Sequence, residues 1–268
     1  MNTNGCLKYG RSDMTATPPP HLSPSSMGTF RQCPLKWKYN KIDKIPDPSG
    51  KEALMGNFVH DVLEELYGLP PEERSQAQAQ SLARGVWDRG NWERRVKPLV
   101  PDAEEYRMFR WKAWWCIENL WKIENPEDIE PDGLEFELNG EVSGVRLKGF
   151  IDRFTMSEDG GVVISDYKTG KVPRKEYVDD RFLQLRIYGT LVDTLSIGRT
   201  TSLELLYLKD GVKFEVPFSE EVLINTSVYV RDVKDDIDKA CATGDFPAQK
   251  SVLCGWCSYK GICPLWVN

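Results

Sequence analysis

Apolar residues in the first half of the chain recur three and four positions apart, the spacing of a helix that buries one face. The pattern is clearest over Lys51–Leu69, where an apolar side chain recurs at every turn until Pro70-Pro71 interrupts it. Two further helices are predicted at Glu72–Trp92 and Glu104–Ile123. Ser23-Pro24 combines the hydroxyl and the proline that are typical of a helix start. The first half of the chain is therefore predicted to be largely helical.

From Gly133 onward the pattern changes to the apolar runs and alternations of β-strands. The predicted segments are strands at Leu134–Leu138 and Val142–Phe154 with a turn at Asn139-Gly140, a strand at Val162–Ile164, a helix at Asp179–Leu195, a hairpin that turns at Asp210-Gly211, and a helix at Glu220–Thr243. This order predicts an α/β (α+β) fold in which a mixed central sheet is flanked by helices.

The same pattern divides the chain into four regions. Residues 1–22 include Pro18-Pro19-Pro20 and many small polar residues, and they are predicted to form a flexible tail. Residues 23–130 form the mainly helical N-terminal region, and residues 131–245 contain the predicted core sheet with its helices. Residues 246–268 are a cysteine-rich tail without clear periodicity, as expected of a segment that a metal organises.

Composition places the chain among globular proteins. It has 268 residues, of which 40% are hydrophobic, and it contains nine tryptophans. No apolar run approaches the roughly 20 residues of a membrane span, and the polar, proline-rich N-terminus lacks the pattern of a signal peptide. A soluble, cytoplasmic protein is expected, in the host cytoplasm if the protein is viral.

The net charge of −6 argues mildly against a nucleic-acid partner, although a basic stripe can lie on an acidic protein. Arg31–Lys44, Arg89–Lys97 and Lys168–Lys175 are the basic clusters from which such a stripe could form. They are equally compatible with ordinary solvated faces, so charge alone leaves the partner open.

An Asp-x-Lys motif follows the apolar run at residues 162–164. Because side chains alternate along a strand, Asp166 and Lys168 are predicted to point to one face, with Tyr167 on the other. Asp152 lies on the preceding strand, so a hairpin would bring two carboxylates and one ammonium group together. Such a set suits phosphodiester hydrolysis, since carboxylates bind Mg²⁺ or Mn²⁺ and a lysine stabilises developing charge. Taken alone, the tripeptide is as often a solvated surface pair.

Three other polar residues lie on predicted helices. His60 is in the middle of its helix and is a candidate third metal ligand, since neutral imidazole binds Mn²⁺ well. A lone helical histidine is more often part of the core. Gln184 and Tyr188 are four positions apart and so share a helix face. They are candidates to contact a phosphate or Lys168, or they form an ordinary boundary pair.

Seven cysteines without a secretory signal disfavour a disulfide framework. Cys254, Cys257 and Cys263 have the spacing C-x2-C-x5-C, and three close thiolates need a fourth ligand. Cys33 is the best candidate for it, which would join the N-terminal helix to the C-terminal tail. The residues themselves do not separate zinc from an iron–sulfur cluster. The other cysteines, Cys6, Cys116 and Cys241, are interpreted as spare thiols.

Four motifs in order carry a resemblance to a known family. They are Gly56-x3-His60, Gly149-x-x-Asp152-Arg153, Asp166-Tyr167-Lys168-Thr169-Gly170 and Gln184-x3-Tyr188. Together the motifs resemble the RecB-like branch of the PD-(D/E)XK nucleases, and the resemblance runs from about Leu22 to Pro264. The sequence departs from the superfamily's name at two positions, where Ile151 replaces the proline and the second acid is Asp166.

The resemblance implies a restriction-endonuclease-like core and a role for each motif. His60, Asp152, Asp166 and the backbone carbonyl of Tyr167 would bind Mg²⁺ or Mn²⁺, Lys168 would be the catalytic lysine, and Gln184 and Tyr188 would support the site. Nucleases of the AddB type and CRISPR-adaptation exonucleases carry one early and three late cysteines around a [4Fe–4S] cluster. By that likeness the ligands would be Cys33, Cys254, Cys257 and Cys263, with structural Zn²⁺ as the alternative.

The function implied is that of a metal-dependent DNA nuclease. An exonuclease on single-stranded or frayed ends is expected, acting in recombination, repair or phage DNA metabolism, alone or with a helicase or recombination partner. Trp37, Tyr39 and the tryptophans between residues 111 and 121 are candidates to grip the DNA, unless they belong to the core. The competing hypothesis is a non-catalytic DNA-end-binding or structural subunit with a nuclease-like fold. The motifs leave open polarity, strandedness, endo- or exonuclease mode and oligomeric state.

Overall fold

The computed structural model describes residues 16–48 and 50–267. Cys6 and most of the predicted tail, 1–22, lie outside the described residues. The end of that tail is held against the protein, because the Leu22 N–H donates to the carbonyl of Arg146 and the Leu22 carbonyl accepts from Lys148, both at 2.9 Å. Leu22 is also fully buried. Residues 16–22 therefore belong to the folded part of the chain.

The first half of the chain is helical, as predicted. Its helices are α1 (Pro24–Gln32), α2 (Pro34–Lys41), α3 (Lys51–Tyr67), α4 (Gln76–Arg89), α5 (Trp92–Val96), α6 (Ala103–Glu118) and α7 (Leu120–Ile123). Ser23 caps α1, since its hydroxyl accepts from the Ser26 N–H at 3.1 Å. The helix predicted from Glu72 begins later because Ser75 caps α4 by accepting from the Gln78 N–H.

The second half forms the sheet and its covering helices. The elements are β1 (Gly133–Val142), β2 (Val145–Met156), β3 (Gly161–Lys168), α8 (Val178–Arg181), α9 (Leu183–Thr194), β4 (Arg199–Tyr207), β5 (Val212–Pro217) and α10 (Glu220–Thr243). The strands lie in the order β1-β2-β3-β4-β5. Of the neighbouring strand pairs in the described part of the chain, only β3–β4 is parallel. Helices α8 and α9 lie in the connection between β3 and β4, as a parallel crossover requires. The predicted mixed sheet and the hairpin at Asp210-Gly211 are confirmed.

The predicted turn at Asn139-Gly140 is wrong. Strand β1 continues to Val142, and the chain turns at Ser143-Gly144 instead, with φ angles of 51° and 80°. Positive φ at both central residues is what a tight two-residue hairpin needs. Gly140 is inside the strand for another reason: a β-carbon there would lie 2.9 Å from the Leu195 side chain at the end of α9. That glycine permits a close helix–sheet approach and does not mark a turn.

Each face of the sheet is covered by its own apolar core. Helices α1, α2, α9 and α10 cover one face, where Ile164 and Leu205 point, and helices α3 to α7 cover the other, where Tyr167 and Leu206 point. The alternation along β3 and β4 thus fills both cores. Trp37 is completely buried, so the suggestion that it grips DNA is wrong. No helix in the described ranges combines the length and the apolar character needed to cross a membrane.

Candidate active site

His60, on α3, lies against the strands that carry the other motif residues. Its Nε2 is 3.0 Å from the carbonyl oxygen of Tyr167 on β3. One turn earlier on the same helix face, Gly56 faces the loop after β3, where an added β-carbon would lie 3.5 Å from the Thr169 hydroxyl. The histidine motif and the Asp-x-Lys motif therefore meet in space, although about 100 residues separate them.

Two carboxylates lie on the other side of the His60 ring. Its Nδ1 is 3.6 Å from a carboxylate oxygen of Glu135 on β1 and 3.6 Å from one of Asp152 on β2. One ligand atom from each of the three residues lies within 4.8 Å of the other two. One imidazole nitrogen and two carboxylate oxygens are a donor set that suits Mn²⁺ or Mg²⁺. These three residues fit a divalent metal ion.

Glu135 is a residue that the sequence analysis missed. Observed pairing joins Leu134 to Arg153 and Phe136 to Ile151, which places Glu135 opposite Asp152. The misplaced turn hid this relationship, because a hairpin turning at Asn139-Gly140 would pair Asp152 elsewhere. Glu135 also has a φ of 40°, a left-handed conformation that is rare for a strand residue other than glycine and is often found at functional sites.

Asp166 and Lys168 form an ion pair beside this group. The Lys168 Nζ is 2.5 Å from the Asp166 carboxylate, so the predicted common face is confirmed. Burial would lower the pKa of Lys168, but the charge of Asp166 raises it, and the lysine keeps its positive charge. The Asp166 carboxylate faces Lys168 and lies outside the group of His60, Glu135 and Asp152. Its role as a metal ligand stays a prediction.

Acidic groups dominate the electrostatics of the site. Burial raises the pKa of Asp152, and the nearby charge of Asp166 raises it further. Burial opposes protonation of His60, but its contact with Glu135 and the charges of Asp152 and Asp166 raise its pKa above the usual range. Excess negative charge of this kind is what a bound divalent cation would offset.

Gln184 and Tyr188, on α9, support the opposite side of β2. The Gln184 amide donates to the Tyr188 hydroxyl at 3.3 Å, so the predicted common helix face is confirmed. A β-carbon on Gly149 would lie 2.5 Å from the Tyr188 ring, which explains the glycine three positions before Asp152. Burial raises the pKa of Tyr188 to about 12, so the hydroxyl keeps its proton.

A buried arginine lies behind the site. Arg153 is 1% exposed, and its two Nη atoms donate to the carboxylate of Glu124 at 2.5 and 2.9 Å. Its guanidinium carbon lies 4.8 Å from the Tyr67 ring centre and 5.6 Å from that of Tyr167. Tyr167 is thus fixed at its ring by Arg153, at its N–H by Asp152 at 2.8 Å, and at its carbonyl by His60. In the sequence, Arg153 stands out only as the residue that follows Asp152 in its motif.

The four predicted cluster cysteines lie around one cavity. Cys33, which caps α2, lines a pocket of about 240 Å³ together with Cys254, Cys257 and Cys263. No three of these sulfur atoms lie within 4.8 Å of one another. The C-terminal tail is fastened beside α2, since the Tyr39 hydroxyl donates to the Ile262 carbonyl at 3.1 Å. The structure therefore brings the early and the late cysteines to the same region.

Replacing Glu135 with glutamine is expected to weaken Mn²⁺ binding by about 10- to 100-fold, because losing a ligand costs at least as much as losing a group that only orients one. Glu137→Gln is the matched control, since it removes the same charge from the same strand. The Glu137 side chain is exposed and forms an ion pair with Lys148. Titration calorimetry with Mn²⁺ measures both variants. Equal affinities in the two variants would remove Glu135 from the metal site.

Comparison with known proteins adds independent findings. Residues 21–264 match the PD-(D/E)XK nuclease superfamily. The gene 69 protein of Mycobacterium phage L5 is 23% identical, with 94% of this chain and 98% of that protein aligned. The gene 69 protein of Mycobacterium phage D29 is 25% identical over 67% of this chain and 71% of that one. Among solved structures, a "Putative exonuclease" from Eubacterium rectale has a similar fold, with a TM-score of 0.57 at 12% identity, covering 90% of this chain and 88% of the other.

Proposed function

The chain belongs to the PD-(D/E)XK nuclease superfamily, and we propose that it is a divalent-metal-dependent deoxyribonuclease of the RecB-like branch. One observation carries the proposal: His60, Glu135 and Asp152 converge within 4.8 Å beside the Asp166–Lys168 pair. These residues come from a helix and three strands, so their convergence depends on the fold as a whole. A cluster of carboxylates with one lysine is suited to hydrolysing a phosphodiester.

Each residue has a distinct role in the proposed reaction. His60, Glu135 and Asp152 would hold the metal ion, which would polarise a phosphoryl oxygen and lower the pKa of a water molecule. Asp166 holds Lys168 in position through their 2.5 Å contact and is a further candidate ligand. The Lys168 ammonium group stabilises the negative charge that develops on the phosphoryl group. The Tyr167 carbonyl is another candidate ligand, but it lies on the Nε2 side of the His60 ring, opposite the carboxylates of Glu135 and Asp152 that face Nδ1.

The finer proposal is an exonuclease on single-stranded or frayed DNA ends. Its support is the name of the solved protein with a similar fold and the resemblance of the four motifs to the RecB-like branch. The phage relatives favour a role in phage DNA metabolism in the host cytoplasm, with recombination and repair as related settings.

Digestion of 5′-labelled and 3′-labelled single strands, with free and with blocked ends, tests this mode of action. An exonuclease releases short labelled products from free ends and leaves blocked strands intact. Internal cleavage of blocked strands would replace the exonuclease proposal with an endonuclease. Binding without any hydrolysis would favour the non-catalytic end-binding subunit.

We further propose that Cys33, Cys254, Cys257 and Cys263 hold a [4Fe–4S] cluster. Support comes from their common cavity and from their spacing. Four thiolates on zinc, with Zn–S bonds of about 2.3 Å, would bring the sulfurs to roughly 3.8 Å from one another. No three of the four sulfur atoms come that close together, so the shared cavity and the sequence spacing alone support the cluster proposal. Such a cluster would join α2 to the C-terminal tail and have a structural role.

Cys257→Ser is expected to lose most of the bound iron and to reduce the yield of soluble protein, because a cluster bound by four cysteines would lose one of its ligands. Iron and acid-labile sulfide are measured in protein purified without oxygen. Cys241→Ser is the control, since Cys241 is buried between other elements and does not line the cavity. Zinc in place of iron, or unchanged iron in Cys257→Ser, would contradict the assignment.

A further inference from the structure

A groove with arginine and tryptophan walls runs between α4 and α6, away from the metal ligands. Its cavity is about 320 Å³. Three arginines and three indole rings line it, namely Arg84, Arg107, Arg110, Trp87, Trp111 and Trp114. Phe58, from the helix that also carries His60, contributes to its wall. Nothing in the proposed hydrolytic site uses this groove.

Among the described residues, none of the three arginines forms an ion pair. Within the described ranges, none of their guanidinium groups lies within 4.0 Å of a carboxylate oxygen, and no acidic residue lines the groove. Arg84 donates to the amide oxygen of Gln80, and the guanidinium carbon of Arg110 lies 5.1 Å from the centre of the Trp87 ring. Unpaired guanidinium groups at an aromatic surface suit a ligand that has both negative charge and flat faces.

Two exposed indole rings extend the groove along α6. Trp111 is 52% exposed and Trp115 is 37% exposed, and their rings stack with centres 5.3 Å apart. Lys122 lies 4.7 Å above the Trp115 ring and adds another positive charge. Exposed aromatic faces beside cationic side chains are the usual means of binding unpaired bases together with their phosphates.

The exposed indoles lead toward the catalytic strand. The Trp115 ring N–H donates to the Lys209 carbonyl at 3.2 Å, and the neighbouring Leu208 N–H donates to the Lys168 carbonyl at 2.9 Å. Phe58 and His60 are two positions apart and therefore face opposite sides of α3, which is about 10 Å wide. A ligand that occupies both the groove and the metal site must be a chain of several units.

We propose that this groove binds the part of a single-stranded DNA substrate that lies beyond the nucleotides at the metal site. The proposal rests on the proposed function for the identity of the nucleic acid. An acidic peptide would satisfy the arginines but would leave the stacked faces of Trp111 and Trp115 without a matching surface. Single-stranded DNA satisfies both.

The test compares two triple variants in a binding assay. One variant replaces Arg84, Arg107 and Arg110 with glutamine. The control makes the same replacement at three exposed cationic residues elsewhere and so removes the same charge; these are Arg199, Arg231 and Lys239. Fluorescence anisotropy with a labelled strand of about 16 nucleotides is measured in Ca²⁺ over a series of salt concentrations. The groove variant is expected to bind at least about 10-fold more weakly and to lose roughly 2 units of log–log salt slope. The control is expected to keep the wild-type slope.

A second measurement addresses stacking. Trp111→Ala and Trp115→Ala are each expected to weaken binding by about 5- to 150-fold, with the fold checked by circular dichroism. Wild-type affinity and slope in the folded arginine variant would overturn the groove proposal, as would wild-type affinity in both tryptophan variants. Anisotropy in Ca²⁺ does not require cleavage, so wild-type protein that binds the strand there but does not hydrolyse it in Mg²⁺ or Mn²⁺ would overturn the nuclease proposal alone.

Discussion

Lys168→Ala is expected to lower the rate of DNA hydrolysis by about 100- to 1000-fold, the loss seen when one group that stabilises transition-state charge is removed. The pKa of Lys168 is raised by Asp166, so the side chain keeps its charge at neutral pH. It lies outside the group of His60, Glu135 and Asp152, and Mn²⁺ affinity is therefore expected to stay within a few-fold of wild type.

Turnover of single-stranded DNA and Mn²⁺ titration, measured on the same preparation, separate catalysis from metal binding. Lys239→Ala is the control, because Lys239 is an exposed lysine on α10 that lies outside the three basic clusters. Full activity in Lys168→Ala, or an equal loss in Lys239→Ala, would withdraw the catalytic role of Lys168.

Arg153→Met is expected to lower the free energy of unfolding by about 3–5 kcal/mol, since Glu124 would remain as a buried charge without its partner. Methionine occupies a similar volume, so the loss reflects charge more than packing. For a chain of this size the expected fall in Tm is about 6–20 °C. The same substitution releases the ring of Tyr167 and is expected to reduce nuclease activity as well.

Glu65→Gln provides the reference for this effect. It breaks the ion pair with Arg89, which is exposed, and such pairs contribute about 1 kcal/mol or less. Thermal unfolding followed by circular dichroism measures both variants. If Arg153→Met costs no more than Glu65→Gln, the buried pair does not stabilise the site. Replacing Arg153 and Glu124 together by methionine should recover part of the loss.

Much of the fold can be predicted from the sequence because its signals are local. Helix α10 has the bounds that its periodicity predicts, Glu220–Thr243, and the strand alternation at Asp166 and Lys168 gives their common face. The order of the motifs identifies His60, Asp152, Gln184 and Tyr188 as candidate site residues, although it gives no distances between them.

The missed parts of the site depend on long-range geometry. Glu135 is found only when the hairpin register is known, and that register depends on a turn at Ser143-Gly144 that the Asn139-Gly140 pair obscured. The Arg153–Glu124 pair joins residues 29 positions apart, with no periodic signal to link them. Pairing of this kind becomes visible only when the sheet and α7 are placed together.

The burial of individual tryptophans also could not be predicted from the sequence. Helix α6 buries Phe109, Ala113, Cys116 and Ile117, which leaves Trp111 and Trp115 on its outer face. In α2 the opposite holds, since Trp37 is buried against Phe246 from the C-terminal region. A tryptophan in a helix is compatible with either outcome, and tertiary packing decides between them.

Metal-dependent hydrolysis is the central claim, and it is tested most directly by one assay of the wild-type protein and Asp152→Asn. A 5′-labelled single strand is incubated with each protein over a series of Mg²⁺ and Mn²⁺ concentrations, with EDTA as the reference. The expected result is cleavage by the wild type that rises with metal and stops in EDTA, together with at least about a 100-fold lower rate in Asp152→Asn. Folded wild-type protein that leaves the strand intact at every metal concentration, or equal cleavage by both proteins, would contradict the account.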